Sequence, residues 1–307
     1  MNQINPQNVL GQVAEAVPKD CKENIVVIGS LAAAYAYFGN DKNLAVRTKD
    51  VDCLLKPYPD AAEKGEAITR QLRNAGWKPR RMGSHHIPGT SETPDDELPA
   101  IRLYPPGIDP EEENAWFLEL LVEPESTKEK GKKWSRIIVD DDHFGLPAFR
   151  FLSVAAYVPE KIDHLGIYYA RPEMMVLANL LEHPEIKPDI ISTQFENRDI
   201  KRSNKDLGRV LAIGYLAQKS GLKDFRSWSK DWEFALQSCF PYEWESLVKN
   251  VGLGLRALLH SDVDMNEAHH TCVYGLLSSF GVEESELKEV GERILGDAVE
   301  RLEELLH

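Results

Sequence analysis

The pattern of apolar and polar residues divides the chain into a first part with strands and helices and a second part that is mainly helical. In the first part, short β-branched or apolar runs predict strands, and stretches with one apolar face predict helices. The predicted strands are 25–28, 51–55, 100–104, 116–122, 136–139 and 165–169, and the predicted helices are 6–18, 31–38 and 61–76. Strand 100–104 lies in a long segment rich in proline, glycine and acidic residues, which favours an edge strand.

Beyond Pro172 the spacing of apolar positions becomes helical, and few strand candidates remain. The predicted helices are 173–182, 204–219, 228–239, 243–259 and 267–307. With 307 residues, the chain exceeds the roughly 250 to 300 residues over which one core is easily extended. We therefore predict an α+β protein in which residues 1–170 form a mixed β-sheet flanked by helices and residues 171–307 form an α-helical C-terminal domain.

Composition and charge exclude several classes of protein. The chain is 42% hydrophobic and 28% charged, which is typical of globular domains and excludes disordered, collagen-like and coiled-coil proteins. Its formal net charge of -14 argues against a protein that coats nucleic acid through a global positive field. The 4 cysteines lie far apart and show no metal-site or disulfide spacing, which fits a reducing cytoplasm.

Membrane and secretory segments are not expected from the apolar pattern. The most apolar stretch, 25–39, falls short of the roughly 20 residues that a membrane helix needs. The first residues lack a basic start followed by an apolar run, so we expect no secretory leader. The sequence therefore predicts a cytoplasmic protein that does not bind a membrane.

Two aspartates on one strand are the first candidates for chemistry. Because side chains alternate along a strand, Asp50 and Asp52 project from one face while Val51 and Cys53 point into the core. Two such carboxylates repel each other unless a divalent cation neutralises them, and hard oxygen ligands suit Mg²⁺. An arbitrary Asp-x-Asp is more often a solvated turn, but the apolar neighbours place this pair at the mouth of a core strand.

Two further segments carry groups that fit the same chemistry. Gly29-Ser30 follows strand 25–28, where a glycine lets the backbone approach a phosphate and a helix N-terminus offers N–H groups to the anion. A purely steric need for small residues at this turn is the alternative. Glu119 interrupts an apolar strand, and a buried carboxylate needs a metal or a charged partner. Glu119 is therefore a candidate third metal ligand and general base, unless it simply faces solvent.

The order of these segments resembles the nucleotidyltransferase superfamily. It consists of a strand ending in Gly29-Ser30, a helix, the segment Thr48–Asp52 and a later strand with a central acid at Glu119. The resemblance is greatest to the minimal and AbiEii-like group, which includes toxins of type IV toxin–antitoxin systems. It covers about the first 170 residues and implies a nucleotidyltransferase-like mixed sheet.

A second segment, 202–209, resembles the R-x-x-K-D-x-x-D element of AbiEii-like proteins. Lys205 and Asp206 match the lysine and the acid that this element contributes to the nucleotide cleft. The chain departs from the family pattern at three places, namely Arg209 in place of the later acid, Asn179-Leu180 where a lysine is common, and Arg47 one residue closer to Asp50 than the family arginine. These departures affect how the substrate is held more than they affect the fold.

The resemblance implies a Mg²⁺-dependent enzyme that moves a nucleoside monophosphate from a nucleoside triphosphate to a hydroxyl acceptor. The acceptor would be RNA such as tRNA, or a protein, and a cognate antitoxin would be a partner. The metal-binding and catalytic residues would be Asp50, Asp52 and Glu119, and the nucleotide-binding residues would be Gly29, Ser30, Lys49, Lys205 and Asp206. A non-catalytic nucleotide-binding or protein-interaction module is the alternative, and a metal phosphohydrolase is a third hypothesis.

Other clusters of polar residues have simpler interpretations. Residues 140–143 read as a solvated turn, and the histidine pairs 85–86 and 269–270 read as loop and helix-surface residues. Basic residues interleaved with Trp77 and Trp134 could form an RNA-contacting rim, although such runs are usually a solvated face. They are Arg70, Arg73, Lys78, Arg80, Arg81, Lys128, Lys130, Lys132, Lys133 and Arg136.

Overall fold

A computed structural model describes residues 3–39, 41, 43–80, 87–112, 114–128, 133–182, 191–195 and 198–307. The strands are β1 (Gln3–Ile4), β2 (Ile25–Val27), β3 (Val46–Arg47), β4 (Asp50–Leu55), β5 (Lys78–Pro79), β6 (Arg102–Tyr104), β7 (Phe117–Val122), β8 (Lys133–Val139), β9 (Asp142–Ala148), β10 (Glu160–Ile162), β11 (Ile167–Tyr169), β12 (Ile191–Phe195) and β13 (Arg198–Lys201). The helices are α1 (Pro6–Ala16), α2 (Gly29–Phe38), α3 (Tyr58–Asn74), α4 (Leu152–Ala155), α5 (Pro172–Glu182), α6 (Arg202–Lys219), α7 (Arg226–Cys239), α8 (Trp244–Val251), α9 (Leu253–Leu259), α10 (Asp262–Val273), α11 (Glu284–Ile294) and α12 (Glu300–Glu304).

A seven-stranded mixed sheet forms the centre of the first part, with the strand order β10-β11-β2-β4-β7-β6-β5. The central strand β4 is antiparallel to β2 and parallel to β7. Strands buried on both faces read as nearly continuous apolar runs, and all three residues of β2 are buried. The acidic residues of β4 and β7 are therefore exceptions to the composition expected at the centre of this sheet.

The predicted mixed sheet flanked by helices, followed by a helical region, is confirmed. Strand 100–104 was predicted at the sheet edge, and this is wrong, because β5 pairs with β6 on its outer side. Strand β9 was not predicted, because Gly145 and Pro147 interrupt its apolar run. The predicted turn at 140–143 is confirmed as the tip of the β8–β9 hairpin, where Asp140 and Asp141 both have positive φ.

In the helical part, some helices begin or are interrupted at other residues than the sequence predicts. The helix predicted at 243–259 is two helices, α8 and α9, which meet at Gly252. The hairpin of β12 and β13 was not predicted. The helix predicted to begin at residue 204 begins at Arg202 with Lys201 at the capping position, and Asn204 is buried in its first turn.

Both parts of the chain share their buried apolar residues. A contiguous core cluster runs from α1 and the central sheet through α5 and α6 to α11 and α12. The domain boundary at residue 170 stays a prediction. None of the described helices combines the length and the apolar character required to cross a membrane.

Polar contacts fix the start of α6 against α10. Lys201 Nζ and Asn204 Nδ2 each donate to Asp264 Oδ1 at 2.8 Å. Asn204 Nδ2 also donates to Glu267 Oε2 at 2.8 Å. Burial alone would raise the pKa of Asp264, but the hydrogen bonds from Lys201, Asn204 and Ser261 outweigh it and lower the pKa to about 2.

The hydrogen bonds to Asp264 predict that the free energy of unfolding decreases at low pH. The pKa of Asp264 in the folded state lies below the value of about 3.9 in an unfolded chain, so its stabilisation is complete above about pH 4 and is lost as the pH falls towards 2. We expect Asp264→Asn to lower the free energy of unfolding by up to about 2 kcal/mol at pH 7 and by much less at pH 2. Urea denaturation at both pH values measures this, and an equal loss at both would contradict it.

Candidate active site

Three acidic side chains of the sheet line one cleft. Strands β4 and β7 run parallel in a register that pairs Asp52 with Glu119. Asp50 is two residues before Asp52, so both project from the same face of β4. All three side chains are partly buried and line a cleft of about 360 Å³ between the sheet and helices α5 and α6. This volume lies within the range of about 300 to 1,000 Å³ that is usual for sites that bind small molecules.

The bend at Gly29 faces these carboxylates. Gly29 has a φ of +76°, and a Cβ atom placed on it would lie 2.8 Å from Asp52 Oδ2. The N–H of Ile28 donates to the backbone carbonyl of Asp52 at 2.9 Å. Helix α2 therefore begins directly beside Asp52. Its first N–H groups have no carbonyl partner within the helix and can bind an anion at this end of the cleft.

Replacing Gly29 by alanine is expected to damage both the fold and the cleft. The positive φ costs about 1 kcal/mol for alanine, and the new methyl group displaces the Asp52 carboxylate, so we expect a total loss of about 1 to 3 kcal/mol in stability. Chemical denaturation and calorimetry of nucleotide binding with Mg²⁺ measure the two effects. Gly107→Ala is the control, because Gly107 has a φ of +86° and no atom within 4 Å of its added Cβ. Equal behaviour of the two variants would contradict the contact with Asp52.

Helix α6 presents a cationic face to the acids. Arg202, Lys205 and Arg209 follow each other at intervals of three and four residues, so they lie on one side of the helix. All three line the acidic cleft. Like charges at this spacing repel each other, and the carboxylates across the cleft compensate this repulsion. The cleft therefore places carboxylate oxygens on one wall and cationic side chains on the other.

Two of these cations are held in place by neighbours. Asp206 is fully buried, and Arg202 Nε donates to its Oδ2 at 2.8 Å. Arg209 Nη1 donates to Asn179 Oδ1 at 3.3 Å, and Asn179 is anchored through its Nδ2 to the carbonyl of Met175 at 2.6 Å. Asp206 thus orients Arg202 from behind the cleft wall. Asn179, from α5, orients Arg209.

The two aspartates have opposite pKa shifts. Burial would raise the pKa of Asp50, but the Lys205 ammonium, the Thr48 hydroxyl and the Arg209 guanidinium together lower it. Thr48 Oγ1 donates to Asp50 Oδ1 at 2.5 Å. Burial raises the pKa of Asp52 well above its usual value, and the charges of Asp50 and Glu119 raise it further. Asp52 is therefore the carboxylate whose charge most needs a cation.

The pKa of Lys205 is lowered. Burial is the main cause, and the positive charges of Arg209 and Arg202 add to it, while Asp50 opposes it. An anionic ligand between these groups would favour the charged ammonium. Lys205 thus lies where a phosphate would be bound.

Glu119 is paired with an arginine of the neighbouring strand β6. Arg102 Nε donates to Glu119 Oε2 at 3.0 Å, and the guanidinium also lies over the ring of Phe117. Within the described residues, no group of three or more His, Cys, Asp or Glu side chains is placed so that it could hold a metal ion. Asp50 and Asp52 are hard oxygen ligands of the kind that Mg²⁺ prefers, and Mg²⁺ is usually held by one or two carboxylates together with substrate phosphates and water. The residues present fit that mode of binding.

A smaller pocket adjoins the cleft. It shares Asp50, Lys205 and Arg209 with the cleft, and it is also lined by Ser30 and Arg47. We call it the inner pocket; its volume is about 70 Å³. Helices α2, α6 and α10 form its walls together with the segment before β4.

The structure brings most of the predicted site residues together. Gly29, Asp50, Asp52, Glu119 and Lys205 line the cleft, and Ser30 lines the inner pocket. Asp206 lies behind the wall, and Lys49 is not among the residues that line either cavity. Sequence reasoning missed Thr48 and Arg102. The period of two along β4 could have found Thr48, but nothing local in the sequence places Arg102 beside Glu119.

The basic residues predicted to form a rim are largely paired with acids. Pairs are formed by Arg73 with Asp142 at 3.1 Å, Arg80 with Glu111 at 3.4 Å, and Arg136 with Asp95 at 2.7 Å. Trp77 is buried against Trp116, so it cannot stack on a base. Arg81, His85, His86, Lys130 and Lys132 lie outside the described residues. The RNA-contacting rim stays a prediction.

The chain was compared with family models, curated proteins and solved structures. No family model and no curated protein matches the chain. Among solved structures, the chain is similar to an antigenic nucleotidyltransferase-like protein from Paracoccidioides brasiliensis, with 14% sequence identity and a TM-score of 0.33 over 81% of this chain and 95% of that chain. A score of this size does not establish a common fold, so what the cleft can bind follows from its own side chains.

Proposed function

We propose that this protein is a Mg²⁺-dependent nucleotidyltransferase that moves a nucleoside monophosphate from a nucleoside triphosphate to a hydroxyl acceptor. One observation carries the proposal: Asp50 and Asp52 face the N-terminus of α2 and the cationic side of α6 across a single cleft. A polyphosphate with a bound divalent cation requires both kinds of group at once, because the acids hold the cation and the bases hold the phosphates.

Asp50 and Asp52 would hold Mg²⁺ together with phosphate oxygens and water, and Glu119 would lie beside this site as a carboxylate that does not ligate the ion. When bound, Mg²⁺ neutralises charge on the phosphates and lowers the pKa of the attacking hydroxyl. Glu119 acts as general base and accepts the proton of that hydroxyl, and Arg102 orients it. For Glu119 to act in this way, its contact with Arg102 has to loosen when the substrate binds.

The remaining groups bind and orient the phosphates. Lys205 and Arg209 stabilise the negative charge that develops on the leaving pyrophosphate. Ser30 and the first N–H groups of α2 hold the outer phosphates, as helix N-termini do. Phe149, Phe151 and Met175 line the cleft on its apolar side, and they keep water from the reacting atoms. Lys49 and Asp206 do not line the cleft. Asp206 contributes to phosphate binding by holding Arg202 in position.

The acceptor and the biological role rest on the sequence resemblance. The AbiEii-like pattern supports RNA such as tRNA, or a protein, as the acceptor and a toxin role with a cognate antitoxin. All cysteines are free, which fits a reducing cytoplasm. Neither the choice of nucleotide nor the acceptor follows from the side chains that line the cleft.

Labelled nucleoside triphosphates test the proposal. Each nucleotide is incubated separately with the protein, Mg²⁺ and either total RNA or total protein. We expect label in an acceptor with the native protein, and none after chelation of the metal or with the Asp50→Asn, Asp52→Asn double variant. Nucleotide binding without any transfer would indicate a non-catalytic module instead. Release of phosphate without labelled acceptor would indicate a phosphohydrolase.

A further inference from the structure

The inner pocket is much smaller than the cleft. Its volume is about 70 Å³, against about 360 Å³ for the cleft. A nucleoside therefore has more room in the cleft, and the inner pocket suits a smaller group.

The charges on the wall of the inner pocket favour an anion. Arg47, Lys205 and Arg209 line it with positive charge, and Asp50 is the acid among its lining residues. Ser30 adds a hydroxyl group at the start of α2. Cations in excess over acids, in a small enclosed space, attract a group with more than one negative charge.

The side chain of Arg47 has a buried N–H group that makes no hydrogen bond to the described residues. Its Nε atom is buried, and no hydrogen-bond partner for it exists among the residues that the structure describes. A buried N–H without an acceptor is costly and rare in native proteins, so it calls for an ion or a water at that position. Arg47 also lines the inner pocket, so a small shift of its side chain would bring this N–H group to an anion bound there.

The backbone holds Arg47 in this position. Strand β3 pairs with β1, opposite Gln3, and the N–H of Arg47 donates to the carbonyl of Gly275 at 3.2 Å. Ser279 Oγ both accepts from the N–H of Ala45, at 3.2 Å, and donates to its carbonyl, at 2.8 Å. These contacts hold the backbone at Arg47 in place. An acceptor for its side chain must therefore be a group bound close to this position.

The inner pocket and the cleft adjoin each other. Asp50, Lys205 and Arg209 line both, and Asn179 orients Arg209. A chain of phosphates that starts at the acids of β4 and extends past Lys205 and Arg209 would approach Arg47.

We infer that Arg47 binds the terminal phosphate of a nucleoside triphosphate in the inner pocket, and that it makes the protein select triphosphates over diphosphates. The inference rests on the proposed function, since it assigns a specificity residue to the same site. Arg47 acts by binding substrate.

Calorimetry with base-free probes tests this assignment. Inorganic tripolyphosphate and pyrophosphate are each titrated with Mg²⁺ into the native protein and into Arg47→Gln. We expect the native protein to bind tripolyphosphate at least about tenfold more tightly, and Arg47→Gln to lose about 10- to 100-fold in affinity for tripolyphosphate but less than about threefold for pyrophosphate. Arg301→Gln, at an exposed position of α12, is the matched control and should change neither affinity.

Two results would overturn the inference. One is equal affinity of the native protein for both probes, which requires no variant. The other is an equal loss of both affinities in Arg47→Gln; if that variant does not fold, Arg47→Lys replaces it, because it keeps the charge but lacks the Nε–H group. If the tripolyphosphate preference depends on Arg47 but no label is transferred, the inference stands and the proposed transfer fails. If label is transferred but the KM for the nucleotide is unchanged in Arg47→Gln, the inference alone fails.

Discussion

Asp52→Asn is expected to abolish nucleotidyl transfer while leaving the folded protein at least as stable at pH 7. An amide in place of this carboxylate removes one of the two charged ligands for Mg²⁺, so we expect the rate of label transfer to fall by at least about 10³-fold. Asn has nearly the shape of Asp, so the bend at Gly29 keeps its contact with the side chain. The fold is therefore preserved while the metal site is lost.

The expected gain in stability follows from the pKa of Asp52. Burial, Asp50 and Glu119 raise that pKa above its value in the unfolded chain. The folded state therefore binds the proton more tightly than the unfolded state does, and stability falls as the pH rises from the unfolded pKa of about 3.9 to the raised pKa of the folded state. Asp52→Asn removes this repulsion.

Urea denaturation and the label-transfer assay measure the two effects on the same preparation. Asp163→Asn is the matched control, because Asp163 is exposed and lies far along the chain from the cleft. It should change neither quantity. Transfer within about tenfold of the native rate, or a clear loss of stability in Asp52→Asn, would contradict the role given to this carboxylate.

Lys205→Met is expected to lower transfer by about 10² to 10³-fold, the second-largest effect. Methionine keeps the length of the side chain but removes the charge that faces Asp50 and the phosphates. Burial lowers the pKa of Lys205, so removal of its charge relieves a desolvation cost, but Asp50 loses the cation that faces it, and we therefore expect the variant to be less stable at pH 7. The pKa of Asp50 should rise in this variant, because Lys205 is the charge that lowers it most.

Steady-state kinetics with varied nucleotide and Mg²⁺ concentrations measure this change. We expect the nucleotide to bind more weakly and the rate at saturation to fall. Lys230→Met, at an exposed position of α7, is the control for the loss of one lysine. A variant with the native rate at saturating nucleotide would show that Lys205 contributes only to substrate binding or to neither step.

Local patterns in the sequence predicted the acidic half of the site. The alternation of side chains along β4 places Asp50 and Asp52 on one face whatever the strand pairs with. Glu119 was a candidate because a carboxylate buried within an apolar strand needs a metal or a charged partner, and this too is a local property. The glycine at position 29 could be predicted to face a close neighbour, and that neighbour is Asp52.

The cationic half depends on contacts between distant segments. Nothing local indicates that Asp52 and Glu119 share a register, that Arg102 pairs with Glu119, or that Asn179 holds Arg209 across two helices. Arg209 stood out in the sequence only as a departure from a family pattern, whereas the structure places it at the junction of the two cavities. The first two pairings are set by the order and register of the strands in the sheet, and the third by the packing of α5 against α6.

The central claim is that Asp50 and Asp52 hold a divalent cation together with the phosphates of a nucleotide. The most direct test is a crystal of the protein with Mn²⁺ and a non-hydrolysable nucleoside triphosphate, measured at the manganese absorption edge. We expect an anomalous peak within coordination distance of both carboxylates and of a phosphate oxygen, with Lys205 and Arg209 on the remaining phosphate oxygens. A nucleotide bound elsewhere, or a peak that touches neither aspartate, would contradict it.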